Sequence, residues 1–109
     1  MDCIFCKIAN GEIPSDTVFE DDNFKVILDL SPASKGHMLI LPKTHARDIT
    51  ELGEDIAGKA IVLAAKLGKA SMAALGATGF NTLANTGESA GQTVFHCHIH
   101  VIPRYDDAS

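Results

Sequence analysis

The sequence has no apolar run near the roughly 20 residues that a bilayer crossing requires, so a membrane span is not expected. Basic residues are few. There are 9 Lys and Arg against 14 Asp and Glu, a net charge of -5, and they form no stripe. A nucleic-acid backbone is gripped through clustered cations, so it is a poor partner for this chain. A charged small molecule is not excluded, because a pocket can be locally positive on an acidic protein. Cysteine is limited to 3 residues, at positions 3, 6 and 97. An odd count in so short a chain does not suggest a disulfide scaffold. The opening MDCIFCKIANGEIP sets acids and bases close together with no long apolar stretch, which is not the pattern of a secretory signal. A reducing cytosol is the expected setting, and there Cys3-x-x-Cys6 reads as metal-binding or redox-active. Repeats and low-complexity linkers are also missing. The 109 residues, 46% of them apolar, suffice for one domain over 1–109 around one core.

Residues 17–29, TVFEDDNFKVILD, read as two short strands about an acidic turn at Glu20-Asp21-Asp22-Asn23. Ser31-Pro32 breaks the pattern, since proline disfavours helical geometry in the residue before it. Residues 37–42, HMLILP, form an apolar run closed by proline, as in a central strand. Over residues 53–76, Ile56, Ala60, Leu63, Ala64, Leu67, Ala74 and Leu75 recur at helical spacing, with Lys59, Lys66 and Lys69 between them. Glu54 and Asp55 suit the positive end of that helix, and Gly76 can stop it. Gly58 and Gly68 inside it each cost about 1 kcal/mol relative to alanine, which a close neighbour would explain. Residues 79–85 read as a strand, 86–91 as a glycine-bearing loop, and 94–102 as a last strand ended by Pro103. The order of strands, one long helix and strands predicts an α+β fold, with the helix on an antiparallel sheet.

What the sequence does concentrate is histidine. FHCHIHVIP, residues 95–103, carries His96, His98 and His100 at alternate positions. On a strand these would share one face, about 6.6–6.8 Å apart, while Cys97, Ile99 and Val101 would face the helix. The other two histidines, His37 and His45, flank the strand at 37–42. Adjacent antiparallel strands would collect all five. Two chemistries suit such a cluster. Cys3, Cys6 and two histidines would make a Cys₂His₂ set of the kind zinc prefers. Alternatively, a neutral imidazole attacks an electrophile while its neighbours orient it and stabilise charge. Histidine suits phosphorus chemistry because it is nucleophilic near neutral pH. The two readings are compatible.

The segment His96-Cys97-His98-Ile99-His100-Val101-Ile102 resembles the histidine-triad pattern, His-φ-His-φ-His-φ-φ with φ apolar. The resemblance extends to Ile4-Phe5-x-Lys7-Ile8, Glu12-Ile13-Pro14, Asp29-Leu30-Ser31-Pro32, His37-x-Leu39-Ile40-x-Pro42-Lys43-x-His45 and Gly91-Gln92-Thr93-Val94-Phe95. Together these are similar to the Hint-like, nucleotide-binding branch of the histidine-triad (HIT) family, in its bacterial form with an N-terminal C-x-x-C. That resemblance implies an antiparallel meander with one long helix, forming a homodimer whose sheets join. It implies a nucleotide hydrolase or transferase acting at the α-phosphate of nucleoside phosphoramidates or related nucleotides. His98 would be the nucleophile, forming a nucleotidyl-histidine. His100 and His37 would contact the phosphate, and Thr93 replaces a family serine near the leaving group. Asn85, Gly91 and Gln92 would line the phosphate end, Asp29 would bind the ribose, and Phe5, Ile8, Ile27 and Leu30 would hold the base. His45 and His96 have no part in this chemistry. With Cys3 and Cys6 they correspond to a zinc site that bacterial-type members carry, so a structural zinc is expected and no cofactor is expected for catalysis.

Two alternatives stand beside this reading: a non-catalytic nucleotide-binding module, and a hydrolase whose catalytic zinc sits in the histidine cluster. Leu28 leaves Asp29 as the one ribose acceptor expected from its segment. The sequence carries no tryptophan, which Hint-type tails often place near the site, and it ends nine residues after His100. The leaving group is therefore not fixed by resemblance.

Overall fold

A computed structural model describes residues 3–106; the first two residues and Asp107, Ala108 and Ser109 lie outside the described part. Its centre is a five-stranded antiparallel sheet in the order β1-β2-β3-β5-β4. The strands are β1 (Thr17–Glu20), β2 (Phe24–Leu28), β3 (Met38–Pro42), β4 (Gly79–Leu83) and β5 (Ile99–Arg104). A six-residue helix, α1 (Ile4–Ala9), precedes them, and a 22-residue helix, α2 (Glu54–Leu75), joins β3 to β4. The chain meanders through β1, β2 and β3, crosses by α2 to the far edge, and returns so that β5 lies between β3 and β4. This is the α+β architecture expected from the element order.

The β1–β2 turn is built by Asp21, whose carboxylate accepts the backbone N–H of both Asn23 and Phe24 at 2.8 Å. Such a side-chain cap lets a short acidic segment reverse the chain. Alternation along the strands then sorts the two faces. Phe24, Val26, Met38, Ile40, Ile99 and Val101 pack with Ala60 and Ala64 of α2. The small alanines let the helix backbone approach the sheet closely. Gly68 does so too, since a Cβ there would run into the Phe80 ring of β4. On the opposite face Ile8, Ile27, Leu39 and Leu41 form a second cluster with Phe5 and Ile13. α1 is too short to stand alone, and this cluster holds it down. Buried Lys25 assists by donating its ammonium to the Ile8 carbonyl at 3.0 Å.

Two sequence expectations need correction, and one element was not anticipated. The segment 4–9, for which no element is expected from the sequence, is helical; Ile4 and Ile8, and Phe5 and Ala9, are spaced four apart, but six residues make fewer than two turns. The last strand begins at Ile99, not at residue 94, so His96 and His98 lie ahead of it in irregular backbone. It also runs through Pro103 to Arg104. Proline is tolerated there because the pairing of β5 with β3 reaches only to Val101, and its missing N–H costs no bond on that side. Finally, β4 stops at Leu83, so Ala84 and Asn85 belong to the following loop.

Candidate functional site

The five histidines gather on the α1 side of the sheet, but as two groups with different surroundings. The first contains His37, His98 and His100. β3 pairs with β5 in the register Leu39↔His100 and Met38↔Val101, which brings His37 beside His100. His37 Nε2 lies 2.9 Å from His100 Nδ1, and the His98 and His100 ring centroids are 5.1 Å apart.

The hydrogen bonds decide which nitrogen carries each proton. His98 Nδ1 faces the His96 carbonyl at 2.8 Å. A carbonyl only accepts, so Nδ1 is protonated and Nε2 presents a lone pair. Among the described residues, that Nε2 has no hydrogen-bond partner. His37 Nδ1 accepts the Ala33 N–H at 3.0 Å, which places the His37 proton on Nε2. That N–H then donates to His100 Nδ1, and the His100 proton sits on its own Nε2. The result is one imidazole offering a lone pair beside another offering an N–H. Burial pushes the pKa of both His37 and His100 below 6.5; Arg104 adds to the effect at His37, and His98 and His37 add to it at His100. Asp29 opposes these shifts, its Oδ2 lying 3.4 Å from His37 Nε2 and 4.0 Å from His100 Nδ1.

Those three donor atoms converge within 4.8 Å, as a two-histidine, one-carboxylate metal site would require. The Ala33 N–H argues against that use. A metal on His37 Nε2 would have to displace the proton that the Ala33 contact puts there. The group reads better as a hydrogen-bond chain.

The second group is Cys3, Cys6, His45 and His96, whose ligand atoms also lie within 4.8 Å of one another. His96 is fully buried, and its Nε2 donates to the Pro42 carbonyl at 2.8 Å. Its Nδ1 lone pair is thereby aimed at the sulfurs of Cys3 and Cys6, each 3.4 Å away. His45 Nδ1 lies 3.2 Å from both Cys6 Sγ and His96 Nδ1. Two thiols and two imidazoles, one with its tautomer fixed for ligation, fit a tetrahedral zinc-type ion. Burial pushes the Cys6 thiol up and the neighbouring Cys3 adds to this, while burial lowers the His96 pKa with His45 and His98 adding. A bound divalent cation would favour the thiolate and the neutral imidazole together.

The remaining expected residues fall around these groups unevenly. Phe5 of α1 packs edge-to-face with His98, with centroids 4.9 Å apart and an interplanar angle of 82°. Ile8 and Ile27 are buried with it in one apolar cluster. Leu30 stands apart, 93% exposed. A depression of about 390 Å³ opens beside Asp29 and His37, with Lys35 and Gly36 in its wall. Thr93 is exposed. Gln92 is buried, and its amide is committed to the loop: it accepts from Gly87 N–H and donates to the Arg47 and Val94 carbonyls. Asn85 packs beside Gly91, whose φ of +97° suits glycine. Cys97 is buried and its thiol is pushed up to about 11 by burial, with Asp48 adding, which suits a core residue. The sequence reasoning missed Ala33, whose backbone N–H orients His37; a backbone donor leaves no residue-type signal. A wider groove, about 880 Å³, lies between α2 and the β1–β2 hairpin, and no histidine lines it.

A family model described as HIT domain matches residues 10–107. The chain belongs to the HIT domain family. Among its relatives, Adenylylsulfatase HINT3 of Arabidopsis thaliana is 43% identical over 103 residues, covering 94% of this chain and 52% of that protein. Adenosine 5'-monophosphoramidase hnt1 of Schizosaccharomyces pombe is 40% identical over 104 residues, covering 95% and 75%. A solved Zn-bound histidine triad family protein from Mycobacterium smegmatis superposes with a TM-score of 0.93 at 39% identity, covering 97% of this chain and 77% of that one. The HIT family thus includes proteins named as hydrolases of adenylyl compounds. Among the described residues no helix is long and apolar enough to cross a membrane.

Proposed function

We propose that this HIT protein is a nucleotide hydrolase or transferase acting at the α-phosphate of adenosine phosphoramidates or related nucleotides. The observation that carries the reading is the His96 carbonyl on His98 Nδ1, which leaves Nε2 as a free lone pair beside the His100 N–H. His98 Nε2 attacks phosphorus, and the P–N bond to the leaving amine breaks as the amine takes a proton from solvent, which the later hydrolysis by water returns. The His96 carbonyl stabilises the imidazolium that forms, and the N–H of His100 faces the charge growing on a non-bridging oxygen. Water then attacks the nucleotidyl-histidine, giving the nucleoside monophosphate and restoring His98. Thr93 assists the leaving group. Asp29 accepts from the ribose hydroxyls, Phe5, Ile8 and Ile27 floor the base pocket, and Leu30 closes over it from solvent. Asn85, Gly91 and Gln92 shape the phosphate loop. The relatives named as an adenylylsulfatase and a monophosphoramidase support the substrate class.

Zinc on Cys3, Cys6, His45 and His96 would supply a structural crosslink between α1 and the β3 and β5 ends, and a Zn-bound relative supports that assignment. A homodimer joins at β4, an edge strand whose exposed Leu83 and open backbone favour pairing with a second copy. The setting is cytoplasmic, and the nucleotide is the partner, not nucleic acid or membrane.

The test is steady-state hydrolysis of an adenosine phosphoramidate by the wild type and by His98→Ala. Turnover is expected to vanish in the folded variant while adenosine monophosphate still binds. A folded His98→Ala variant that still turns over would falsify the nucleophile assignment.

A further inference from the structure

The two histidine groups are not independent, because His96 of the second group touches the first. Its ring offers Nδ1 to the Cys3 and Cys6 sulfurs, and its backbone carbonyl fixes the proton of His98 at 2.8 Å. The ring is fully buried and also tied to the Pro42 carbonyl, and only Cβ and Cα separate it from the backbone carbonyl of the same residue. A second link runs through α1. The helix has six residues, and Cys6 within it and Cys3 at its N-cap both belong to the Cys/His group. Phe5, between those cysteines, sets its ring centroid 4.9 Å from that of His98 and 6.1 Å from that of His96. Thiols hydrogen-bond weakly, so without a cation the Cys3 and Cys6 contacts add little to the apolar cluster and the Lys25 bond that hold α1 down. A cation shared by four ligands would hold α1 and His96 together.

We propose that the Cys3–Cys6–His45–His96 centre is a positioning device for the nucleophile: a zinc-type ion there holds His96 and Phe5, and through them the tautomer and orientation of His98. This rests on the reading of His98 as nucleophile. It gives the metal more than a part in stability. The ion stays outside the reaction, yet its loss disorders the attacking nitrogen. His37 and His100 are fixed from the other side, by Ala33, and keep their protons regardless of the metal.

The experiment is imidazole ¹⁵N spectroscopy of histidine-labelled protein at fixed pH, zinc-loaded and then stripped by a chelator. In the loaded protein His98 is expected as the Nδ1–H tautomer. Stripping should move His98 towards a mixture of tautomers while the His37 and His100 signals stay in place. In parallel, kcat on an adenosine phosphoramidate should fall about tenfold with KM little changed, the lower end of what outer-shell partners command. Phe5→Ala in the loaded protein should broaden His98 alone. Cys6→Ser gives the same comparison in a chain that keeps three ligands.

His98 signals that ignore zinc in a folded protein overturn the proposal. Wholesale unfolding on stripping overturns it too, because the metal then maintains the fold and not the nucleophile. Adenosine monophosphate added to the loaded protein separates the two readings. If it perturbs no histidine, the nucleotide reading fails, while the response of His98 to zinc still decides the coupling.

Discussion

His37 sits between two fixed partners, and its value lies in passing one orientation to another. It accepts from the Ala33 backbone and donates to His100, so removing it leaves His100 free to present either tautomer. His37→Ala is expected to lower kcat/KM by about 10²–10³, the cost of losing one oriented donor at a charge-developing oxygen. His37→Gln should recover part of that loss, since an amide oxygen can accept from Ala33 while its NH₂ donates to His100. The pair of variants is read by steady-state kinetics, and equal damage in both would show that the relay is not what His37 contributes. Cys97 offers a contrasting residue. Buried, with its thiol raised to about 11, it should resist iodoacetamide at about pH 8 in native protein and react only in denaturant. Mass-mapped labelling checks this, and rapid native labelling would mean that the segment before β5 opens readily.

At the level of elements, α2 was legible because apolar spacing over 22 residues is a long signal, and its bounds differ from expectation by one residue at each end. Its two internal glycines are not equivalent. A Cβ on Gly68 meets the Phe80 ring, whereas one on Gly58 meets nothing within 4 Å. Gly58→Ala should stabilise by up to about 1 kcal/mol through helix propensity. Gly68→Ala should destabilise by about 1–3 kcal/mol through overpacking. Urea midpoints measure both, and a shift of the same sign in the two would contradict the packing account. The ends of α1 and β5 were not legible, for a shared reason. Cys3, Cys6, His45 and His96 converge across three separate stretches of chain, and that convergence draws residues 94–98 out of regular pairing and seats a helix too short to show a period. The residue types marked which side chains the fold gathers into the two groups. Their alternation suggested one continuous strand, which a long-range cluster overrode.

At the scale of the whole molecule, burying imidazoles ties stability to pH. His37 and His100 are both held below 6.5 in the folded chain, chiefly because burial disfavours the charged ring. In the unfolded chain they regain ordinary values near 6.5. Below about pH 6.5 the unfolded state therefore binds more protons than the folded state, and stability falls as pH is lowered through that window and on towards the depressed folded values. Above it both states carry neutral rings, and these two residues add no pH dependence. Asp29 acts in the opposite sense at both rings, since its charge favours their protonated forms. Urea midpoints at about pH 7.5 and about pH 5.5 test the account, with a chelator present so that proton competition for bound metal does not contribute. His96 is also lowered by burial, but it contributes equally to each protein and drops out of the comparison. The wild type should lose stability on acidification. His37→Gln should lose less, because one buried group no longer titrates, and Asp29→Asn should lose more, because its charge no longer supports the protonated rings. An acid loss that is the same in all three would place the responsible groups elsewhere in the chain.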